Sequence, residues 1–322
     1  MSAESSIWLK YRPSKKVLLL LKAAVGGLLI WFLYSKISAA LAETDVLKLN
    51  FSSDALFYFS MAIGLTFFNW FFEARKWQIL ASPFENLSLK TAYQSVLSGL
   101  ATGLITPNRL GNFIGRLIYI KPENRVQGTV NTQLGNLAQF IVSISLGIIG
   151  LAVSLFYVKS DLNPWLYGML PIGMLMLAIA LYFNPKLLLK LPFGKKIYDF
   201  NTKTIDDLLA FPANLKVRAL GNSALRYVVF LIQYYCLFQM FGIDNGTLLI
   251  IALSATTFLI TTVVPGVFMG KLLVRESAAV FVFSWIALPV QIILAVSFLL
   301  WLINLAIPSV LGWLFWLKKS AK

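Results

Sequence analysis

Between two apolar segments of this chain lies the stretch Thr106-Pro107-Asn108-Arg109-Leu110-Gly111-Asn112-Phe113-Ile114-Gly115-Arg116. It holds two arginines, two asparagines, a proline and two glycines where the flanks are greasy. The limb before it, residues 89–105, is rich in small and hydroxyl side chains and spans about 25 Å as a helix. The limb after it, residues 110–120, spans about 16 Å, too short for a hydrocarbon core of about 30 Å. An arginine near a bilayer centre costs on the order of 3 kcal/mol. A broken helix is tolerated there only where protein or a water-filled cavity surrounds it. These lengths and costs predict a helix that enters, breaks at Pro107 and returns on the same side. The result is a re-entrant hairpin over about 89–121 that lines a polar site.

A loop joining two spans is the competing reading, and a second stretch favours the hairpin. Thr261-Thr262-Val263-Val264-Pro265-Gly266-Val267-Phe268-Met269-Gly270-Lys271 also follows a Ser/Thr-rich apolar limb, residues 248–260. It leads into a basic turn with Lys271, Arg275 and then Glu276. Proline, glycine and arginine recur in the same order, which predicts a second hairpin over about 246–285.

Composition fixes the class around these breaks. The chain is 58% hydrophobic and 13% charged, which reads as a polytopic helical membrane protein. The net charge of +15 is spread through loops between apolar runs, a pattern suited to anionic lipid surfaces and not to nucleic acid. There is no histidine and a single cysteine, Cys236, inside an apolar run. Disulfides within the chain, histidine metal sites and imidazole-based triads are therefore excluded. No Walker or dinucleotide fingerprint occurs, and no metal or cofactor is expected.

In chain order, spans are predicted over 17–34, 55–72, 128–158, 164–183, 220–241 and 286–316. Ala40-Leu41-Ala42 imitates a signal-cleavage site, but it lies far downstream of the first apolar run, so a retained helix is expected. Glu73, Arg75, Lys76 and Trp77 at the end of the second span read as an interface anchor. Gln133, Asn136 and Gln139 share a helix face in the third span, either as interhelical glue or as lining of a substrate path. The polar stretch 185–218 carries Ile197, Phe200, Leu208, Leu209 and Phe211, compatible with a short interfacial helix. Pro289 and Pro308 are expected to kink or punctuate the last span. Lysines and arginines outside the apolar runs fall mostly on one side of this scheme, which places both termini in the cytoplasm.

The expected fold is therefore an all-α integral membrane protein of six transmembrane helices plus two re-entrant helical hairpins. Residues 1–158 and 159–322 each hold three crossings and a hairpin, so the second half must be an inverted copy of the first. Helix breaks free backbone N–H groups for an anion. Arg109, Arg116, Lys271 and Arg275 then point to a negatively charged headgroup, most simply a phosphate. Glu276 could pair with an arginine or carry a proton. The candidate headgroup-binding set is Thr106, Pro107, Asn108, Arg109, Gly111, Asn112, Arg116, Pro265, Gly266, Gly270, Lys271, Arg275 and Glu276.

At these residues the sequence resembles the lysylphosphatidylglycerol synthase transmembrane-region family of flippase-like proteins. Thr106-Pro107-Asn108-Arg109-Leu110-Gly111-Asn112 is similar to that family's Thr-Pro-Gly-Arg-Leu-Gly-Glu stretch. Val274-Arg275-Glu276-Ser277-Ala278-Ala279 is similar to its Val-Arg-Glu-Ala-Ala stretch. Asn108 and Asn112 stand where the family has Gly and Glu, so a charge-coupling role at Asn112 does not carry over. The resemblance implies a multi-pass protein of the bacterial cytoplasmic (inner) membrane that moves or binds an anionic lipid or lipid-linked precursor. Synthase members add a soluble aminoacyl-transferase domain; none is expected here, so the protein is not expected to be an enzyme. A scaffold for a membrane enzyme and a homo-oligomer are the other partner arrangements considered.

Overall fold

The computed structural model describes residues 52–106, 110–158, 164–190, 202–264 and 270–320. The first predicted span and its cleavage-site alternative lie outside these residues, as do Pro107, Asn108, Arg109, Pro265 and Gly266. The described residues are all-helical. They form α1 (Ser53–Ala81), α2 (Leu89–Leu104), α3 (Gly111–Leu117), α4 (Arg125–Val158), α5 (Pro164–Phe183) and α6 (Thr202–Leu209). There follow α7 (Ala213–Met240), α8 (Thr247–Val263), α9 (Gly270–Phe283), α10 (Val290–Trp301) and α11 (Ile307–Ser320). Three stretches among them, Ser53–Ala81, Pro122–Val158 and Val290–Ser320, are long and apolar enough to cross a membrane. Helix α7, at 28 residues, runs about 42 Å. It carries Lys216, Arg218, Arg226 and Gln233, three of which are buried or half-buried by neighbouring helices.

The chain turns back on itself between α2 and α3. Ser88 caps α2, its Oγ accepting from the Thr91 amide at 3.1 Å. At the other end of the excursion Asn124 donates to the Phe84 carbonyl at 2.8 Å and to Glu85 Oε2 at 2.8 Å. Both ends of this segment thus meet at one loop. Glycines let the two limbs touch. A Cβ on Gly99 would stand 2.7 Å from Arg116 Cγ, and one on Gly111 or Gly115 would collide with the Thr102 or Ser98 carbonyl. Thr106 Oγ1 accepts from the Gly111 amide at 2.7 Å and donates to the Thr102 carbonyl at 3.0 Å, bridging the break. In the second excursion α8 and α9 pack against each other. Trp285, Ile286 and Leu288 beyond α9 pack in the same cluster as Leu249 and Ile250 at the start of α8.

Helix α1 lies along α7, α2 lies along α11, and α4 lies along α8. The last two contacts are close backbone approaches through glycine. Gly312 of α11 seats on the Leu97 carbonyl. Gly147 and Gly150 of α4 seat on Leu259 and Ala255 of α8, where an added Cβ would come within 2.7 and 2.5 Å of theirs. Small residues at such crossings replace the hydrophobic effect with van der Waals packing, the rule for helices in lipid.

Several boundaries differ from the sequence expectations, among them the end of α1, which runs on to Ala81 rather than 72. Helix α4 starts at Arg125 rather than 128 and α7 at Ala213 rather than 220; in that added turn of α7 Lys216 is buried and its carbonyl accepts from Tyr182 Oη at 2.9 Å. Ile197 and Phe200 lie outside the described residues; among the described part of 185–218, α6 forms, and Leu208 and Phe211 pack against Leu134, Ala138 and Tyr182, so part of this basic stretch is docked on the body. Pro289 is the N-cap of α10. Pro308 is accommodated by the π-helical turn Leu302–Ala306, which opens the helix just where the proline ring would meet the carbonyl four residues back.

Candidate functional site

Helix α1 is rich in Phe and Trp, yet one of its faces is polar. Thr66, Asn69, Glu73 and Lys76 follow at helical spacing, with Trp70 and Trp77 beside them. Asn69, Glu73, Lys76 and Trp77 are all buried. This corrects the reading of Glu73, Lys76 and Trp77 as an interface anchor. The residues face inward because two other elements bring charged partners to them.

Glu73 is the centre. Lys76 Nζ lies 2.7 Å from its Oε2, Arg226 Nη1 of α7 lies 2.7 Å from the same oxygen, and Arg116 Nη2 of α3 lies 2.9 Å from Oε1. Side chains fix each arginine. Arg116 Nε donates to Asn112 Oδ1 at 3.0 Å, and its guanidinium sits 5.7 Å from the Trp77 ring. Arg226 Nε donates to Asn69 Oδ1 at 2.7 Å, and its guanidinium stacks 4.9 Å above the Trp70 ring. The network continues away from the charges. Asn69 donates to Asn304, Asn304 donates to Gln233 Oε1 at 3.0 Å, and Gln233 Nε2 donates to the Ala62 carbonyl at 2.8 Å. Asn304 sits at the middle of the π-helical turn, so the irregular part of the last helix holds the counter-partner of Arg226 in place.

Glu73, Lys76, Arg116 and Arg226 border one cavity of about 400 Å³. Its opposite wall includes Asn136, Gln139 and Ser143 of α4 and Thr261 and Thr262 at the end of α8. Asn136 and Gln139 therefore line a polar cavity, while Gln133 donates nothing to it and instead accepts from Asn136 Nδ2 at 2.9 Å. Asn131, earlier on the same helix, is the glue, donating to the Leu80 carbonyl at 2.7 Å. The site holds one carboxylate against three cations, an excess of two positive charges in formal terms. Burying like charges without compensation is costly, so the arrangement is poised for an anion.

Of the residues singled out from the sequence, Asn112 and Arg116 lie on the cavity wall. Thr106 and Gly111 hold the hairpin closed nearby. Arg275 and Glu276 are not on that wall; they pair with each other at 2.6 Å on α9. The second hairpin reaches the cavity instead through Thr261 and Thr262. Gly270 and Lys271 begin α9, and their side chains fall outside the described ones. Glu73, Lys76 and Arg226 were absent from the sequence-based set. The signal for them was there: charged residues within or at the edge of predicted spans, with Asn69, Glu73 and Lys76 spaced along one helix face.

No curated protein and no solved structure matches this chain. Residues 19–312 match the family described as the lysylphosphatidylglycerol synthase TM region. That match covers most of the sequence, including both glycine-bearing turns and every helix that borders the cavity, so this multi-pass membrane protein belongs to the lysylphosphatidylglycerol synthase transmembrane-region family.

Proposed function

We propose that this protein binds the anionic headgroup of a membrane lipid or lipid-linked precursor in the Glu73 cavity and moves it between leaflets. The observation that carries this reading is the charge imbalance: three buried cations share one carboxylate beside a cavity of about 400 Å³. That volume lies within the range of small-molecule sites and accommodates a phosphate-bearing headgroup. Arginine pairs with phosphate in bidentate geometry, and two arginines converge here. The amides of Asn136 and Gln139 and the hydroxyls of Thr261 and Thr262 supply hydrogen bonds for the rest of a headgroup. The role is transport and not catalysis, in a bacterial cytoplasmic membrane.

The packing supports an inverted repeat, in which α1 corresponds to α7, the first hairpin to the second, and α4 to the last span. Under that correspondence the contact of α2 with α11 mirrors that of α8 with α4. Both are glycine-mediated. In this reading each half has three crossings, which puts the two hairpins on opposite faces and both termini in the cytoplasm. Single cysteines at Asn86, Asn214 and Asn245 in a Cys236→Ala background test this topology. Asn86 and Asn214 label only from the cytoplasmic side and Asn245 only from the outside; common labelling of all three rules out the arrangement.

Lipid movement is measured in proteoliposomes with a fluorescent anionic lipid and a quencher that cannot cross. Arg116→Gln and Arg226→Gln each lower the rate about tenfold or more, the loss of one charge-assisted contact. Glu73 keeps two cationic partners in either variant, so the fold survives. Normal rates in both folded variants would remove the cavity from the transport path.

A further inference from the structure

A second, smaller pocket of about 150 Å³ opens where α1 ends and α7 begins. Arg75, Gln78 and Ile79 of α1, Asn86 and Leu87 of the following loop and Arg218 of α7 line it. Ile79 and Leu87 are buried and give it an apolar floor. Arg75 is held in place: it donates to Gln78 Oε1, and Gln78 Nε2 donates to the Leu87 carbonyl at 2.8 Å. Arg75 is half-buried and Arg218 is exposed. The lining holds no acid, and among the described residues neither arginine forms an ion pair.

Helix lengths set the depth of this pocket. Along α1, Arg75 stands about 32 Å from Asp54 in the first turn. Along α7, Arg218 stands about 33 Å from Met240, where that helix ends. The two helices run antiparallel, because Gln233 meets Ala62 while Arg226 meets Glu73. Both arginines therefore reach the same end of the bundle, one hydrocarbon thickness of about 30 Å from the other end. That is the level of lipid headgroups. Two guanidinium forks match phosphate oxygens, and Asn86 adds an amide beside them. The volume is below that of a whole small-molecule site, so it suits one phosphate whose acyl chains stay in the bilayer.

We propose that Arg75 and Arg218 form a second phosphate site, which holds the headgroup of an anionic lipid at the membrane surface before it enters the Glu73 cavity. The staging role rests on the transport reading above; the site itself does not. Arg218, Asn222 and Arg226 recur at helical spacing on one face of α7. They lead from this pocket to the cavity over about 12 Å. The two sites differ in kind. Arg226 shares a buried carboxylate with two other cations, whereas Arg75 and Arg218 meet the headgroup layer with no carboxylate of their own.

The test is native mass spectrometry of the full chain in detergent, titrated with phosphatidylglycerol. Arg75→Gln with Arg218→Gln weakens the binding of one lipid about tenfold or more, the loss of charge-assisted bonds. Lys203→Gln with Arg125→Gln removes the same charge from exposed positions outside the pocket and leaves binding unchanged. Equal losses in the two pairs would reduce the effect to general surface attraction and overturn the proposal. Arg218→Gln alone, a change to an exposed side chain, carries the test if the pocket pair fails to fold. Inorganic phosphate replacing chloride at equal ionic strength leaves the lipid bound; displacement would make this a site for free phosphate and overturn the assignment to lipid. Arg116→Gln separates this site from the cavity. If it weakens a lipid and the pocket pair does not, the second site falls and the cavity stands. If the pocket pair weakens a lipid and Arg116→Gln does not, the second site stands and the cavity reading falls.

Discussion

Glu73→Gln lowers the stability of the folded protein by about 3–5 kcal/mol, more than loss of any one of the cations around it. The amide keeps the size of the carboxylate and removes its charge. Lys76, Arg116 and Arg226 then stand within reach of one another with no counter-ion, all three already withdrawn from water. Removing one cation has a smaller effect. Lys76→Met leaves Glu73 paired with two arginines and replaces a buried ammonium by an apolar chain of similar length. Denaturant or thermal unfolding in detergent ranks the variants, with Glu73→Gln lowest and Lys76→Met near wild type. A second consequence separates an anion site from a merely structural knot. The bare cations of Glu73→Gln should attract an anionic lipid more strongly than wild type does, so adding that lipid raises the variant's midpoint by more than it raises wild type's. Equal stability of Glu73→Gln and wild type would mean that the carboxylate does not balance these charges.

This cluster also marks the limit of what the sequence discloses. The hairpin at 89–121 was legible because its limbs were too short and too polar to be spans, a constraint of length that needs no partner. Arg116 was legible as a buried cation for the same reason. Its counter-ion was not, because Glu73 lies 43 residues earlier, and on sequence alone it joins Arg75, Lys76 and Trp77 in a pattern typical of a membrane interface. The difference is the direction in which each side chain faces. Glu73 and Lys76 turn inward with Trp77, while Arg75 turns aside and bonds Gln78. Arg226 was visible inside a predicted span, and its role depended on which helix α7 lies against. Arg275 differs from Arg116: it recurs in the same motif order, but it pairs with its neighbour Glu276 and lies off the cavity wall. A repeated motif preserves position in the fold and leaves the charge balance free to differ.

Gly312→Val disables the protein by a route that touches no charge. Gly312 packs so tightly on the Leu97 carbonyl that any Cβ there overlaps backbone, which cannot swing aside as a side chain could. The same crossing carries two hydrogen bonds to the first hairpin, from Ser98 Oγ to the Gly312 carbonyl at 3.3 Å and from Tyr119 Oη to the Phe315 carbonyl at 3.1 Å. Valine must force α11 off α2, breaking both bonds and pulling away the outer support of the limb that carries Gly99, the seat of Arg116. Overpacking costs about 1–3 kcal/mol where side chains can adjust, and this site belongs at or above the top of that range. Controls come from the same residue type. A Cβ on Gly173 or Gly221 meets nothing within 4 Å, so alanine there gains about 0.5–1 kcal/mol from helix propensity. Unfolding midpoints should therefore fall steeply for Gly312→Val and rise slightly for Gly173→Ala and Gly221→Ala. In proteoliposomes, whatever Gly312→Val protein remains folded should lose lipid movement, because Arg116 is no longer held against Glu73. Gly312→Val with wild-type stability would show that α11 does not press on the hairpin, and the buttress described here would have to be abandoned.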